Sequence, residues 1–218
     1  MSAPVNLWSE SGWAQRYLRE RDDIPHRMEG FAVLMELLPP APRRVLDLGT
    51  GDGFTLGLVR SAHPEVEGVG LDFSAEMLGR ARERFAGENG VEIVEHDLDR
   101  PLPPFGRFDL VVSSFAIHHC VDARKRALYA EVFALLEPGG RFLNLEHVDS
   151  PTPELHVAFL AAAGRTSAED DPSNKLVDVE TQLGWLRDIG FVDVDCFWKW
   201  RELALLAGVK RGQGSSGE

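Results

Sequence analysis

Short apolar segments alternate with amphipathic segments along the middle of the chain. Runs of apolar and β-branched residues with the length of buried strands occupy residues 44–48, 66–71, 91–95, 108–114 and 141–145. Between them, apolar residues recur every three or four positions, as in helices that bury one face, over residues 54–62, 75–85 and 122–137. Parallel strands need crossover connections, and right-handed crossovers place helices on both faces of a sheet. The alternation therefore predicts an α/β fold built on a parallel sheet.

Two segments depart from this alternation. Residues 1–40 combine the apolar spacing of two amphipathic helices with a terminal group of prolines, and they are predicted to form an N-terminal helical cap. Residues 150–175 contain a helix-like stretch followed by a polar, proline-interrupted loop at residues 169–174. We interpret this second segment as a lid insertion over the edge of the sheet, which becomes ordered when ligand binds.

The C-terminal part of the chain predicts a different strand arrangement. The sequence Pro-Gly-Gly at residues 138–140 predicts a helix C-cap and a turn, and residues 179–189 predict a further helix. Residues 191–200 and 202–209 are closely spaced strand-like runs, which favours an antiparallel hairpin. The last eight residues, 211–218, are predicted to be disordered.

Composition and charge narrow the class of protein. The 218 residues are 44% hydrophobic and 27% charged, which are ordinary values for one globular domain. The net charge of −12 repels phosphate backbones and anionic lipids, so nucleic acid is a disfavoured partner and no membrane partner is expected. Two cysteines, Cys120 and Cys196, cannot build a disulfide framework or a multi-cysteine zinc site. With no signal-like or membrane-spanning run, the chain is predicted to be cytoplasmic.

A glycine-rich turn, Asp-Leu-Gly-Thr-Gly-Asp-Gly at residues 47–53, joins the first strand to the next helix. Glycines let a ligand approach the backbone closely, and the helix N-terminus offers free amide groups. A dinucleotide fingerprint needs a small residue where Phe54 stands, so a nicotinamide cofactor is the weaker interpretation. Asp47 would repel a pyrophosphate but attract a sulfonium or an ammonium group. The ligand is therefore expected to carry positive charge.

Two further acids, Asp72 and Asp97, end the second and third predicted strands. A carboxylate about twenty residues after the glycine turn is suited to accept hydrogen bonds from ribose hydroxyls. Asp97 is suited to accept from an adenine amine while Leu98 packs on the ring. Because ligands of open α/β sheets bind at the carboxyl ends of the strands, acids at three successive strand ends predict one common binding site.

Five segments together resemble the class I S-adenosylmethionine-dependent methyltransferases, namely residues 45–53, 70–74, 96–98, 108–113 and 136–140. The resemblance implies a Rossmann-like, seven-stranded, mostly parallel sheet with helices on both faces and a C-terminal antiparallel hairpin, within a domain at residues 41–210. It also implies S-adenosylmethionine as the cofactor and methyl transfer as the activity. By matching position, Asp47 and the glycine turn would hold the methionine moiety, and Ser113 would line the donor pocket.

The predicted donor-binding set contains the residues matched by this resemblance and several further residues. Arg27, in the cap, is expected to clamp the donor's carboxylate, because guanidinium binds carboxylate in a bidentate manner. The complete set is Arg27, Asp47, Gly49, Gly51, Asp72, Phe73, Asp97, Leu98, Ser113 and His118.

Candidate catalytic residues follow the fourth and fifth strands. Methyl transfer from a sulfonium is an in-line displacement, so the protein must align the nucleophile and accept its proton where it carries one. His119 and His147 are the predicted bases, with Glu146 orienting or replacing one of them. Histidines without a catalytic role remain an alternative. A metal site among these residues is disfavoured, because adjacent side chains of an extended chain point to opposite sides.

The predicted acceptor is a small molecule held between the cap and the lid insertion. A fainter resemblance, in residues 23–27 and 196–200, is to the branch of tRNA wobble-uridine enzymes that make carboxy-S-adenosylmethionine. That branch has an arginine-rich stretch where this chain reads Thr-Gln-Leu-Gly-Trp at residues 181–185, so ordinary methyl transfer is favoured. A catalytically silent S-adenosylmethionine-binding module stays an alternative, and a homodimer is an open expectation.

Overall fold

A seven-stranded mixed sheet forms the centre of the structure, a computed structural model that describes residues 24–212. Its strands are β1 (Arg44–Leu48), β2 (Glu67–Asp72), β3 (Val91–Glu95), β4 (Phe108–Ser114), β5 (Leu136–His147), β6 (Phe191–Trp200) and β7 (Leu203–Lys210). Their spatial order is β3-β2-β1-β4-β5-β7-β6. Strands β1 to β5 are parallel, whereas β7 runs antiparallel to both β5 and β6. The predicted mostly parallel sheet with a C-terminal antiparallel hairpin is confirmed.

Helices cover both faces of this sheet. Within the described residues they are α1 (Arg27–Glu36), α2 (Phe54–Ala62), α3 (Ala75–Arg84), α4 (Asp122–Leu135), α5 (Pro153–Ala162), α6 (Val179–Ile189) and short 3-10 helices at Ile117–His119 and Ser167–Glu169. Val45 and Leu46, neighbours on β1, belong to different apolar clusters because successive strand side chains point to opposite faces. Helices α1 and α2 complete the cluster with Val45, and α4 and α6 complete the one with Leu46. Across residues 24–212, no helix has the length and hydropathy needed to cross a bilayer.

The described parts of the cap and of the lid insertion pack near the C-terminal hairpin. Helix α1 joins the same apolar cluster as the neighbouring strands β5 and β7. Helix α5 of the lid insertion contributes Phe159 and Leu160 to a small cluster with Leu203 of the hairpin. Residues 1–23, with the first predicted cap helix, and residues 213–218 of the predicted tail lie outside the described part of the chain.

The predicted C-cap and turn at residues 138–140 is wrong. Helix α4 ends two residues earlier than predicted and β5 begins directly after it, so the Pro-Gly-Gly sequence lies inside the strand. Leu136 pairs with Phe108, and the next pairing joins Arg141 to Leu110, so β5 bulges between these points. Gly139, the middle residue of this sequence, adopts a φ of +86°, which a β-bulge accommodates as readily as a turn does.

A buried polar network ties two helices to the sheet. The hydroxyl of Tyr129 on α4 donates to Gln182 Oε1 on α6 at 2.6 Å and accepts from Asn144 Nδ2 on β5 at 3.1 Å. Gln182 Nε2 donates in turn to the carbonyl of Val177 at 2.8 Å. Because buried polar groups are stable only when they are hydrogen-bonded, this network fixes the position of α4 and α6 over β5.

Replacement of the central hydroxyl is expected to destabilise the protein. Tyr129→Phe removes the hydrogen-bond partner of the buried atoms Gln182 Oε1 and Asn144 Nδ2, which lowers the free energy of unfolding by about 1–3 kcal/mol. The matched control is Ser61→Ala, which removes an exposed hydroxyl bonded to the Gly57 carbonyl and should change stability by less than about 0.5 kcal/mol. Urea unfolding measures both variants, and equal effects would contradict a stabilising role of the buried network.

Candidate active site

A cavity of about 850 Å³, a volume that includes its solvent-filled mouth, opens at the carboxyl ends of the parallel strands. Its walls come from the segments that follow β1, β2, β3 and β4 and from the start of α1. Of the ten predicted donor-binding residues, those that line the cavity are Arg27, Gly49, Gly51, Asp72, Phe73, Asp97 and Leu98. Of the three predicted catalytic residues, His119 lines it. The cavity lies where ligands of open α/β sheets bind, outside the carboxyl ends of the strands.

The turn after β1 lies beneath the cavity and depends on its glycines. Gly49, Gly51 and Gly53 have φ angles of +69°, +55° and +79°, in the left-handed region that strains other residues. A Cβ atom on Gly49 would lie 2.1 Å from the Cβ of Ala116, in the loop that follows β4. Gly49 therefore allows two loops to touch, and the second of these loops leads to His119.

Asp72, at the end of β2, is held in a fixed orientation at the cavity wall. The backbone N–H of Gly51 donates to its Oδ2 at 2.9 Å, and the N–H of Ser74 donates to its Oδ1 at 2.8 Å. Burial raises the pKa of this carboxyl, while the amide hydrogen bonds oppose that shift. Each carboxylate oxygen retains capacity for another hydrogen bond, so Asp72 can accept from two neighbouring hydroxyl groups.

The segment after β3 contributes a second acceptor and an apolar surface. Asp97 Oδ1 accepts from the N–H of Asp99 at 2.9 Å, which orients its carboxyl group. Leu98 is buried beside it, and Phe73 lies on the same cavity wall as the end of β2. An acidic acceptor next to apolar side chains suits a planar heterocycle that carries an amino group.

Asp47 does not line the cavity, in contrast to the predicted contact with the donor. Its side chain is completely buried, and its Oδ2 accepts from the hydroxyl of Thr50 at 2.7 Å. Thr50 itself lines the cavity. Burial raises the pKa of Asp47 to about 7. Asp47 therefore acts on the cavity wall through Thr50, from whose hydroxyl it accepts a hydrogen bond.

Ser113 is also placed differently from the prediction. It is buried within β4, and its hydroxyl donates to the carbonyl of Leu48 at 2.9 Å. Its neighbour Ser114 lines the cavity instead, with its Oγ 2.7 Å from Thr55 Oγ1. Successive side chains of a strand point to opposite faces. Ser114 therefore faces the cavity at the position predicted for Ser113. Ser114 and Thr55 are cavity residues that the sequence prediction missed.

The sequence pairs His118-His119 and Glu146-His147 lie close together, and of these four residues only His119 lines the cavity. The rings of His118 and His119 have centroids 4.0 Å apart, and those of His118 and His147 are 5.6 Å apart. His118 Nδ1 lies 2.6 Å from Glu146 Oε1, and His147 Nε2 lies 2.9 Å from Glu202 Oε2. The predicted donor-binding residue His118 and the predicted catalytic residues Glu146 and His147 do not line the cavity. His118 and Glu146 contact each other, and Glu202 contacts His147.

Burial sets the charge of these groups. It lowers the pKa of His119 to about 3, with a further contribution from the neighbouring His118. It lowers the pKa of His118 well below the ordinary value, and it raises the pKa of Glu146 to about 7. Both histidines are therefore neutral at pH 7, and a neutral imidazole carries one lone pair that can accept a proton.

Arg27, the first residue of α1, places a guanidinium in the cavity wall. It is buried, and its Cζ lies 4.7 Å from the ring centroid of Phe31 and 5.5 Å from those of Phe54 and Phe115. Phe115 has a φ of +52°, an uncommon conformation for a bulky residue. Three aromatic rings thus surround the Arg27 guanidinium at the cavity wall.

Cys120 lines the same cavity without the properties of a nucleophile. Burial raises the pKa of its thiol to about 12, so the reactive thiolate is scarce at neutral pH. In the range 24–212, no three His, Cys, Asp or Glu side chains are grouped to hold a metal ion.

Comparisons with known proteins agree with this geometry. Residues 45–140 match the family described as "Methyltransferase domain". A demethylmenaquinone methyltransferase of Clavibacter sepedonicus is 31% identical over 180 residues, which cover 75% of this chain and 71% of that protein. A malonyl-[acyl-carrier protein] O-methyltransferase of Methylococcus capsulatus is 31% identical over 157 residues, 72% of this chain and 54% of the relative. An O-methyltransferase family protein from Burkholderia thailandensis shares the fold with a TM-score of 0.73, at 21% identity, over 94% of this chain and 62% of that one.

The fold and the cavity define a methyltransferase of the Rossmann-like class. The chain belongs to the class I S-adenosylmethionine-dependent methyltransferase family, and S-adenosylmethionine is its cofactor. The residues present fit this donor, because the glycine turn opens space, Asp72 offers acceptors for a diol, and Asp97 with Leu98 offers an acceptor beside an apolar surface.

The buried carboxyl of Asp47 predicts a pH-dependent stability difference. Its folded-state pKa of about 7 exceeds the ordinary value of 3.8, so above pH 7 folding buries a full negative charge. Each pKa unit corresponds to about 1.4 kcal/mol, so Asp47→Asn should stabilise the free protein by roughly 2–4 kcal/mol at pH 8. The gain should shrink as the pH falls from about 7 to about 4, because the native wild type then binds a proton that the unfolded chain does not.

Urea unfolding of wild type and Asp47→Asn across this pH range measures that difference. The titrations of the buried histidines and of Glu146 occur in both proteins and cancel in the comparison. A stability difference that stays constant with pH would show that Asp47 is not the buried titrating group.

The close contact of the glycine turn is tested by two matched substitutions. Gly49→Ala places a methyl group at a φ of +69° and against Ala116, whereas Gly87→Ala places one at a φ of +83° with no atom within 4 Å. Gly87→Ala should therefore cost only the backbone strain of about 1–2 kcal/mol, and Gly49→Ala should cost more and weaken S-adenosylhomocysteine binding. Unfolding and calorimetric titration measure both effects. Equal losses in the two variants would contradict the role of the contact.

Proposed function

We propose that this protein transfers a methyl group from S-adenosylmethionine to a small-molecule acceptor that binds in the same cavity. One observation carries the proposal: seven of the ten predicted donor-binding residues, among them the aromatic-caged Arg27, share one cavity with the neutral His119. The two relatives described above are named for a quinone and for a malonyl group on a carrier protein. The net charge of −12 disfavours nucleic acid as the acceptor.

The residues divide into a donor side and an acceptor side. When bound, S-adenosylmethionine supplies a methyl group on a positively charged sulfur. Asp72 binds the ribose, Asp97 and Leu98 bind the adenine, and Arg27 binds the donor's carboxylate. The apolar rings of Phe54 and Phe115 bound the remaining space and exclude water from it. The protein acts chiefly by aligning the acceptor with the methyl group.

His119 is the group that accepts the acceptor's proton. It lines the cavity, it is neutral at pH 7, and it follows the loop that contacts the glycine turn. A general base must lie within hydrogen-bond reach of the proton that it removes, so position outweighs pKa in choosing among the candidates. Glu146 and His147 lie behind the cavity wall, and they hold the histidine cluster together.

The variant His119→Ala tests this assignment. Incubation with methyl-labelled donor and a cell extract should label the dialysable fraction, and the variant should reduce that labelling by roughly a hundredfold where the acceptor is a protonated nucleophile. The affinity for S-adenosylhomocysteine, measured by calorimetry, should remain nearly unchanged.

Two outcomes would contradict the proposal in different ways. Label that enters only the macromolecular fraction would exclude a small-molecule acceptor. A larger loss of rate in His147→Ala than in His119→Ala would assign the base to the residue outside the cavity wall.

A further inference from the structure

Ser173 of the lid insertion contacts the candidate base, and Asp171 contacts Ser173. The hydroxyl oxygen of Ser173 lies 3.1 Å from His119 Nδ1 and 2.7 Å from Asp171 Oδ1. The backbone N–H of Ser173 also donates to Asp171 Oδ1 at 2.8 Å, which holds the carboxylate beside the hydroxyl. Asp171, Ser173 and His119 therefore form a hydrogen-bonded chain that leads from the lid to the cavity.

The direction of each hydrogen bond in this chain follows from the chemistry of its members. An ionised carboxylate can only accept, so the single hydroxyl hydrogen of Ser173 lies on the bond to Asp171. The hydroxyl oxygen then has only lone pairs to offer to His119 Nδ1. A hydrogen bond at that position requires the hydrogen to be on Nδ1 of the imidazole. In a neutral imidazole the lone pair must then be on Nε2.

We infer that Asp171 and Ser173 are positioning residues that fix the tautomer of His119, so that its lone pair lies on Nε2. This inference rests on the proposed function, because a base that accepts the acceptor's proton needs its lone pair on a defined nitrogen. The lid insertion thereby acts on the base itself, since the base acquires its reactive tautomer only when the lid loop lies against it.

Other contacts hold the lid loop in place independently of the Ser173 hydroxyl. The backbone N–H of Lys175 donates to the carbonyl of His118 at 3.0 Å, and the Lys175 ammonium donates to the carbonyl of His119. The buried Lys125 ammonium donates to the carbonyl of Lys175. Removal of the hydroxyl should therefore release the imidazole without displacing the loop.

The experiment is nitrogen NMR of the protein labelled with 15N-histidine, recorded without donor or acceptor at pH 7. The two neutral tautomers differ in which ring nitrogen carries the hydrogen and are distinguished by their nitrogen shifts. A His119→Gln variant identifies the resonances of His119. Wild type should show the tautomer with hydrogen on Nδ1, and Ser173→Ala should show a mixture or the opposite tautomer.

Two variants provide matched controls. Ser167→Ala removes an exposed hydroxyl from the same lid insertion and should leave the His119 resonances unchanged. Ser173→Thr keeps a hydroxyl and should restore the wild-type tautomer. Asp171→Ala frees the Ser173 hydrogen to donate to Nδ1, so it should shift His119 towards the tautomer with hydrogen on Nε2.

The outcomes separate this inference from the proposed function. Hydrogen on Nε2 in wild type, or an unchanged tautomer in Ser173→Ala, would overturn the inference while leaving donor binding and methyl transfer untouched. The protein could show the expected tautomers and yet transfer no methyl group to any small molecule. That result would support the inference about the hydrogen-bonded chain and refute the proposed function. In a transferring protein, Ser173→Ala should lower the rate at least tenfold and leave S-adenosylhomocysteine affinity unchanged.

Discussion

The contact between Gly49 and Ala116 is the constraint on which the active site depends. With 2.1 Å between the position of an added Cβ and the Ala116 methyl carbon, the turn after β1 can carry no side chain at this point. The turn lines the cavity, and the loop after β4 leads into the short helix that carries His119. The absence of one side chain thus allows the donor-binding residues and the candidate base to share a single cavity.

Several ionisable groups of the site region are buried or half-buried, and each of those described here has a specific partner. Asp47 is bonded to Thr50, His118 to Glu146 and His147 to Glu202. Such groups are expensive to bury and are common at functional sites, where their environment determines which of them are charged. Here burial keeps His118 and His119 neutral at pH 7, which leaves a lone pair on each imidazole.

The sequence predicted the fold well because the pattern that encodes it is local. Alternating strand and helix segments, a glycine turn and acids at strand ends indicate the same parallel sheet, and each signal lies within a few residues. The boundary at Pro138 was missed because a proline and two glycines can end a helix or form a bulge, and only pairing with β4 decides between them. The exchange of Ser113 for Ser114 has a similar cause, since strand phase depends on neighbouring strands.

The candidate site was predictable in composition but not in the placement of its side chains. The sequence shows adjacent histidines but not the short 3-10 helix that turns His118 inward and His119 towards the cavity. The lid residues Asp171 and Ser173 lie more than fifty positions from His119, so no local signal links them.

A crystal structure of the complex with S-adenosylhomocysteine tests the central claim most directly. The account predicts adenosine between Asp72 and Asp97, with the sulfur on the side of the cavity lined by His119. A donor bound outside this cavity, or with its sulfur turned away from His119, would contradict it.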